Sequence, residues 1–256
     1  MRLSIALCVF ALLSVALPQQ IVSRPAKNRM VIIFDPTIQA PDLGADLAKI
    51  ATALSNSGRI EERTQVVVWV MDERTALRPG PIVQHVFQFN TARDGADAHR
   101  KQVHDFLIST NKLLEERWIS YRKRQSVRAS CIVSALANVS EDIGGGPSLP
   151  TEIVLISDML EACSEWDTHS VDMEKSLGKM SEADFGLKLA NPTAKELVNL
   201  SSIDALFVVH QPHTAVHTLT IRGSLRRVWT TVFETLGLSK DPVYFSGAPT
   251  VIPGRQ

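Results

Sequence analysis

Arg29-Met30-Val31-Ile32-Ile33-Phe34-Asp35-Pro36-Thr37 is the stretch on which the reading of the fold turns. A continuous apolar run of strand length, closed by an acid, describes a central strand buried on both faces. Pro41-Asp42 then opens a helix in which Leu43, Leu47, Ile50 and Leu54 recur at helical spacing, and Asn56-Ser57-Gly58 stops it. A buried strand followed by an amphipathic helix is the unit from which parallel sheets are built.

Working outward, residues 65–71 form a second buried strand around Val66-Val67-Val68-Trp69-Val70, and a third apolar run covers 82–89. The polar link between them, through Arg78-Pro79-Gly80-Pro81, is too short for a crossover helix. The third strand is therefore expected antiparallel beside the second, with Gln84, His85 and Gln88 suited to a half-solvated edge. Residues 96–124 are helical, with Val103, Phe106, Leu107, Leu114 and Trp118 on or near one face, and a shorter helix spans 130–139. Gly144-Gly145-Gly146-Pro147 and Pro150 break the chain before Ile153-Val154-Leu155-Ile156, a strand whose tip, Ser157-Asp158, repeats the acid ending of the first. A strand at 205–209, a helix at 223–236 packing Leu225, Val228, Trp229, Val232 and Phe233, and a strand at 243–245 complete the series. The pattern predicts an α/β fold: a doubly wound, mostly parallel six-stranded sheet with one antiparallel edge strand. Only 161–191 interrupts the rhythm; acidic at its start and without a clear strand, it is read as an insertion of loops.

At the amino end, Arg2 precedes the apolar run 3–13, and Ser14-Val15-Ala16 supplies the small residues a signal peptidase requires. The expected organisation is a signal peptide over 1–17, a linker over 18–28, the α/β domain over 29–247 and a C-terminal tail over 248–256. The product would be exported, periplasmic or extracellular. The early run is shorter than the roughly 20 apolar residues of a membrane span and no later segment is long enough, so no stable membrane anchor is expected. The 256 residues carry 27 Lys+Arg against 27 Asp+Glu, which removes net charge as a reason to bind nucleic acid or anionic lipid and by itself names no partner. With 45% hydrophobic residues the chain has the material for a sizeable core.

In an open parallel sheet, ligands gather beyond the carboxyl ends of the central strands, so Asp35 and Asp158 are expected near each other. Two carboxylates with hydroxyls nearby make a hard-oxygen set suited to magnesium, manganese or calcium. Alternatively, each acid caps the next helix N-terminus or accepts backbone N–H bonds. On these residues the sequence resembles a von Willebrand factor A-like domain, of a bacterial exported type with a degenerate metal-ion-dependent adhesion site. The carriers are Asp35-Pro36-Thr37-Ile38-Gln39 after a strand, Ser130-Cys131-Ile132-Val133-Ser134-Ala135-Leu136 opening a helix, and Ile156-Ser157-Asp158 at a later strand's tip. The resemblance implies that Asp35, Thr37, Gln39, Ser130 and Asp158 form the metal site, holding Mg2+ or Mn2+ in preference to Ca2+. It also implies that the module binds a protein partner and has no catalytic residue. Gln39 departs from the family's second serine and Cys131 from its usual aspartate. In such a fold Cys131 and Cys163 both border the carboxyl edge, and an oxidising compartment favours a disulfide between them.

His210, His213 and His217 lie close enough in sequence to suggest zinc, but Pro212 opposes a single helix presenting them, and ordinary surface histidines are the expectation. Arg122-Lys123-Arg124 with Arg128 reads as a solvated helix end, and Asn138-Val139-Ser140 and Asn199-Leu200-Ser201 match glycan acceptors by pattern alone. No G-x-S-x-G elbow, P-loop or dinucleotide glycine pattern is present. The enzymatic alternative is a metal-dependent phosphohydrolase of the haloacid dehalogenase kind; against it, Thr37 stands where the second acid of a D-x-D pair is needed.

Overall fold

All seven residues of strand β1 (Asn28–Phe34) are buried, and they alternate strictly between two cores: Met30, Ile32 and Phe34 face one side, Val31 and Ile33 the other. The computed structural model describes residues 24–71, 80–89, 91–123, 131–145, 148–161, 179–211 and 219–255. Around β1 stand β2 (Thr64–Val70), β3 (Val83–Val86), β4 (Thr151–Ser157), β5 (Ile203–His210) and β6 (Val243–Ser246), in the spatial order β3-β2-β1-β4-β5-β6. Every pairing is parallel except β2 with β3, where Gln65 lies opposite Val86 and the edge strand exposes Gln84 and His85. The short link between those strands had predicted this.

Helices cover both faces. On the Met30 side lie α1 (Leu43–Asn56), begun by the Asp42 carboxylate accepting from Ala45 N, and the long α2 (Thr91–Lys123), which breaks at Gly95 (φ 73°, ψ 163°). On the Val31 side lie α3 (Ile132–Gly144), α4 (Glu182–Leu189), α5 (Pro192–Leu197) and α6 (Leu219–Thr235). Trp118 on α2 donates its indole N–H to the Ile38 carbonyl at 2.9 Å, pinning the loop that follows Asp35.

Three stretches differ from expectation. The segment read as a loop insertion, 161–191, contains α4, which belongs to the core: Ser181 caps it, and Phe185 and Leu189, one turn apart, are buried against α6. A helix of eight residues repeats its apolar face only twice, too weak a period to register in sequence. Helix α3 extends to Gly144, since Val139 and Ile143 continue its buried face. The C-terminal tail is docked: Ile252 is 2% exposed within the α1–α2 core, and the Arg59 guanidinium donates to the Gly254 carbonyl at 2.9 Å. Residues 1–23 lie outside the described part of the chain, as does 162–178.

Candidate functional site at the carboxyl rim of strands β1 and β4

The strand order places the topological switch between β1 and β4. From β1 the chain moves through α1 to β2 on one side, while β4, on the other side, leads on to β5. Parallel pairing up to Phe34 opposite Ile156 brings both strand tips to the same rim, and Asp35 N donates to the Ile156 carbonyl at 2.9 Å.

Asp35 has no exposed surface. Its Oδ1 accepts from Thr37 N at 2.9 Å and Thr37 Oγ1 at 2.7 Å, and its Oδ2 accepts from Ser157 Oγ at 2.7 Å. Three charge-assisted bonds therefore fold the β1 loop back on itself and tie it to β4. Ser157 Oγ in turn accepts from Met159 N at 2.9 Å, while Asp158 Oδ1 accepts from Leu160 N at 3.0 Å. These side-chain turns bend the chain sharply off β4, and Met159 takes the left-handed φ of 65° that the bend imposes. Trp229 on α6 clamps the bend by donating to the Met159 carbonyl at 2.8 Å.

Two further buried side chains complete the rim. Glu161, 3% exposed, accepts from Val133 N at 3.1 Å and thereby caps α3, where Cys131 occupies the N-cap position and makes no side-chain cap bond. The negative carboxylate also suits the positive end of the helix. His210, at the tip of β5 and 6% exposed, bonds to the Asp158 backbone. Burial, and secondarily the Arg222 charge, outweigh that bond and push its pKa down to about 4, so the imidazole is neutral at physiological pH. The surface location expected for His210 is thus corrected: a histidine ending a buried parallel strand is carried into the interior with it. His213 and His217 lie outside the described residues.

Of the residues singled out by sequence, Asp35 and Thr37 are hydrogen-bonded to each other, Gln39 stands half-buried in the same loop, and Asp158 stands at the adjacent strand tip. Ser130 and Cys163 lie outside the described residues; Cys131 is buried and is not a free thiol. Ser157, Glu161 and His210 were not anticipated as members of the rim. Ser157 had a signal, a hydroxyl directly before the acid at a strand tip; Glu161 had none, because its partner Val133 is 28 residues away. Among the described residues, no three His, Cys, Asp or Glu side chains gather as they would around a metal ion. The side chains that could meet a cation here carry hard oxygens, the Thr37 hydroxyl and the Asp158 carboxylate. Of the roughly four acceptor sites of a carboxylate, Asp35 has filled at least three with protein donors, which makes it an organiser of the loop more than a chelator.

The two glycan-acceptor patterns differ in exposure, Asn199 being exposed and Asn138 buried. Asn138 is buried within α3, and Asn199 Oδ1 accepts from Ser201 N at 3.0 Å, while Ser140 Oγ accepts from Asn199 N at 2.8 Å. Arg122 lies 4.9 Å over the Trp118 ring at the end of α2.

No protein-family model matches the sequence, and no curated protein matches it. Among solved structures, the crystal structure of the human COPII-coat protein Sec24c is similar over 86% of this chain, at 10% sequence identity and a TM-score of 0.46. This chain spans 29% of the length of that one. The strand order and the single antiparallel edge make the protein an α/β fold with a six-stranded, mostly parallel sheet, consistent with the von Willebrand factor A-like and Rossmann-like architectures.

Proposed function

We propose that this chain is an exported von Willebrand factor A-like binding module that engages a protein partner at the carboxyl rim of β1 and β4 and carries out no catalysis. The observation that carries this reading is the state of Asp35, fully buried and holding hydrogen bonds from Thr37 and Ser157. A nucleophilic carboxylate needs an accessible oxygen to attack with, whereas a carboxylate so engaged fastens two strand tips together. Fastened tips, with Trp229 and Glu161 bracing the neighbouring turn and helix, support a rigid platform for a partner surface. A divalent cation, Mg2+ or Mn2+ before Ca2+, would be held by Thr37, Asp158 and the Gln39 and Ser130 positions, and would supply a Lewis acid for a partner's carboxylate. Cleavage after residues 1–17 would release the module into the periplasm or the medium.

The test uses the exported protein as bait, beside Gln39→Arg at the rim and Glu116→Lys on the exposed surface of α2, with thermal melts to verify folding. The partner should be captured by the parent chain and by Glu116→Lys and lost with Gln39→Arg, and generic phosphoesters should not be hydrolysed. Capture indifferent to Gln39→Arg, or a phosphoester turnover that Asp35→Asn abolishes, would overturn the reading, the latter in favour of the phosphohydrolase.

A further inference from the structure

At the end of the sheet opposite Asp35 and Asp158, the amino ends of β4, β5 and β6 and the docked C-terminal segment frame a cleft of about 580 Å3. Among the described residues, six charged ones line it, three of each sign: Glu152, Asp204 and Asp241 against Arg59, Lys240 and Arg255. Arg59 is buried and its contacts are internal. Nη1 meets Glu152 Oε1 at 2.9 Å, the guanidinium lies 4.5 Å over the Phe207 ring, and the remaining nitrogens donate to the carbonyls of Pro253 and Gly254. Arg255 Nε donates to the same Glu152 oxygen at 2.8 Å. Both cations thus converge on Oε1, and Glu152 Oε2, equally buried, has no hydrogen-bond partner among the described residues. An enclosed carboxylate oxygen without a donor is costly, so a group that brings one is bound favourably. Arg255, whose side chain is 30% exposed, is the part of this wall with room to move. At the mouth, Lys240, Asp204 and Asp241 are exposed.

We propose that this cleft binds a small zwitterion, an α-amino acid or a short peptide with both termini free. Its ammonium would donate to Glu152 Oε2 and face Asp204, its carboxylate would face Lys240, and its side chain would lie on the apolar strip of Ala205 and Val243. The charge pattern selects this class. At the mouth, where Lys240 stands with Asp204 and Asp241, a ligand of one sign leaves the other sign unmatched, whereas a zwitterion answers both without net charge. The volume lies within the range typical of small-molecule sites. The site is at the far end of the sheet from the carboxyl rim and does not depend on the function proposed for it.

Titration calorimetry on the full chain would compare L-leucine and leucyl-leucine, both zwitterions, with the cationic leucinamide and the anionic N-acetyl-leucine. At least one zwitterion should bind saturably, and each singly charged analogue should bind about tenfold more weakly or worse, having lost one charge-assisted contact. Lys240→Ala should weaken the zwitterion while leaving leucinamide unchanged, and Asp204→Asn should weaken it while leaving N-acetyl-leucine unchanged; both substitutions are at exposed positions and spare the buried Arg59–Glu152 pair. Absence of saturable binding of either zwitterion, or binding indifferent to both substitutions, would overturn the proposal.

Discussion

Replacing His210 by glutamine should flatten the acid side of the stability profile, because the buried imidazole makes folding sensitive to pH. In the unfolded chain the ring has its ordinary pKa of 6.5; in the folded protein, burial first and the Arg222 charge second push it down to about 4, against the opposing bond to the Asp158 backbone. Between these values the unfolded chain takes up a proton that the folded protein refuses. The neutral ring's contribution is therefore fully present above pH 6.5 and is lost as pH falls towards 4. At about 1.4 kcal/mol per pKa unit the whole difference amounts to about 3 kcal/mol, of which about 2 kcal/mol has gone by pH 5. Urea denaturation at pH 7 and pH 5 measures it. The parent protein should lose about 2 kcal/mol more than His210→Gln, whose amide can still donate to the Asp158 carbonyl. His85 and His99, also shifted downwards by burial, act in both proteins and cancel from the comparison. Equal losses in the two proteins would refute the reasoning, since they would mean that the ring of His210 titrates alike folded and unfolded.

Gly186→Ala should lower stability by about 1–3 kcal/mol in thermal or urea melts, because its methyl would stand 2.7 Å from Thr231 Cβ and 2.8 Å from the Val228 carbonyl of α6. Gly144→Ala, where nothing lies within 4 Å of the new methyl, should be tolerated with little change. Millimolar Mg2+ or Mn2+ should raise the Tm of the parent protein by mass action and have no effect on Asp158→Ala; no binding heat for either ion would retire the metal while leaving the scaffold intact. Non-reducing digestion of the exported protein should yield one linked peptide pair joining Cys131 to Cys163, whereas free alkylation of both cysteines would remove that disulfide from the account of the rim.

The sheet was legible in the sequence because its signals are local. The apolar run at β1 predicted burial on both faces, the short link before β3 predicted its antiparallel pairing, and the acids closing β1 and β4 predicted where the rim would lie. Each follows from the geometry of a few consecutive residues: a strand repeats every two, a helix every 3.6, and a crossover needs a minimum length. Tertiary structure alone decided which side chains complete the rim and the opposite cleft. Ser157 reaches Asp35 across 122 residues, Glu161 caps a helix that starts 29 residues before it, and Arg59 grips carbonyls near the end of the chain. His210 likewise became a buried neutral ring only through the packing around the tip of β5. Such partners have no periodic trace, because a hydrogen bond or a buried charge depends on which segments the sheet brings within about 3 Å of one another, and that separation in space is independent of separation along the chain.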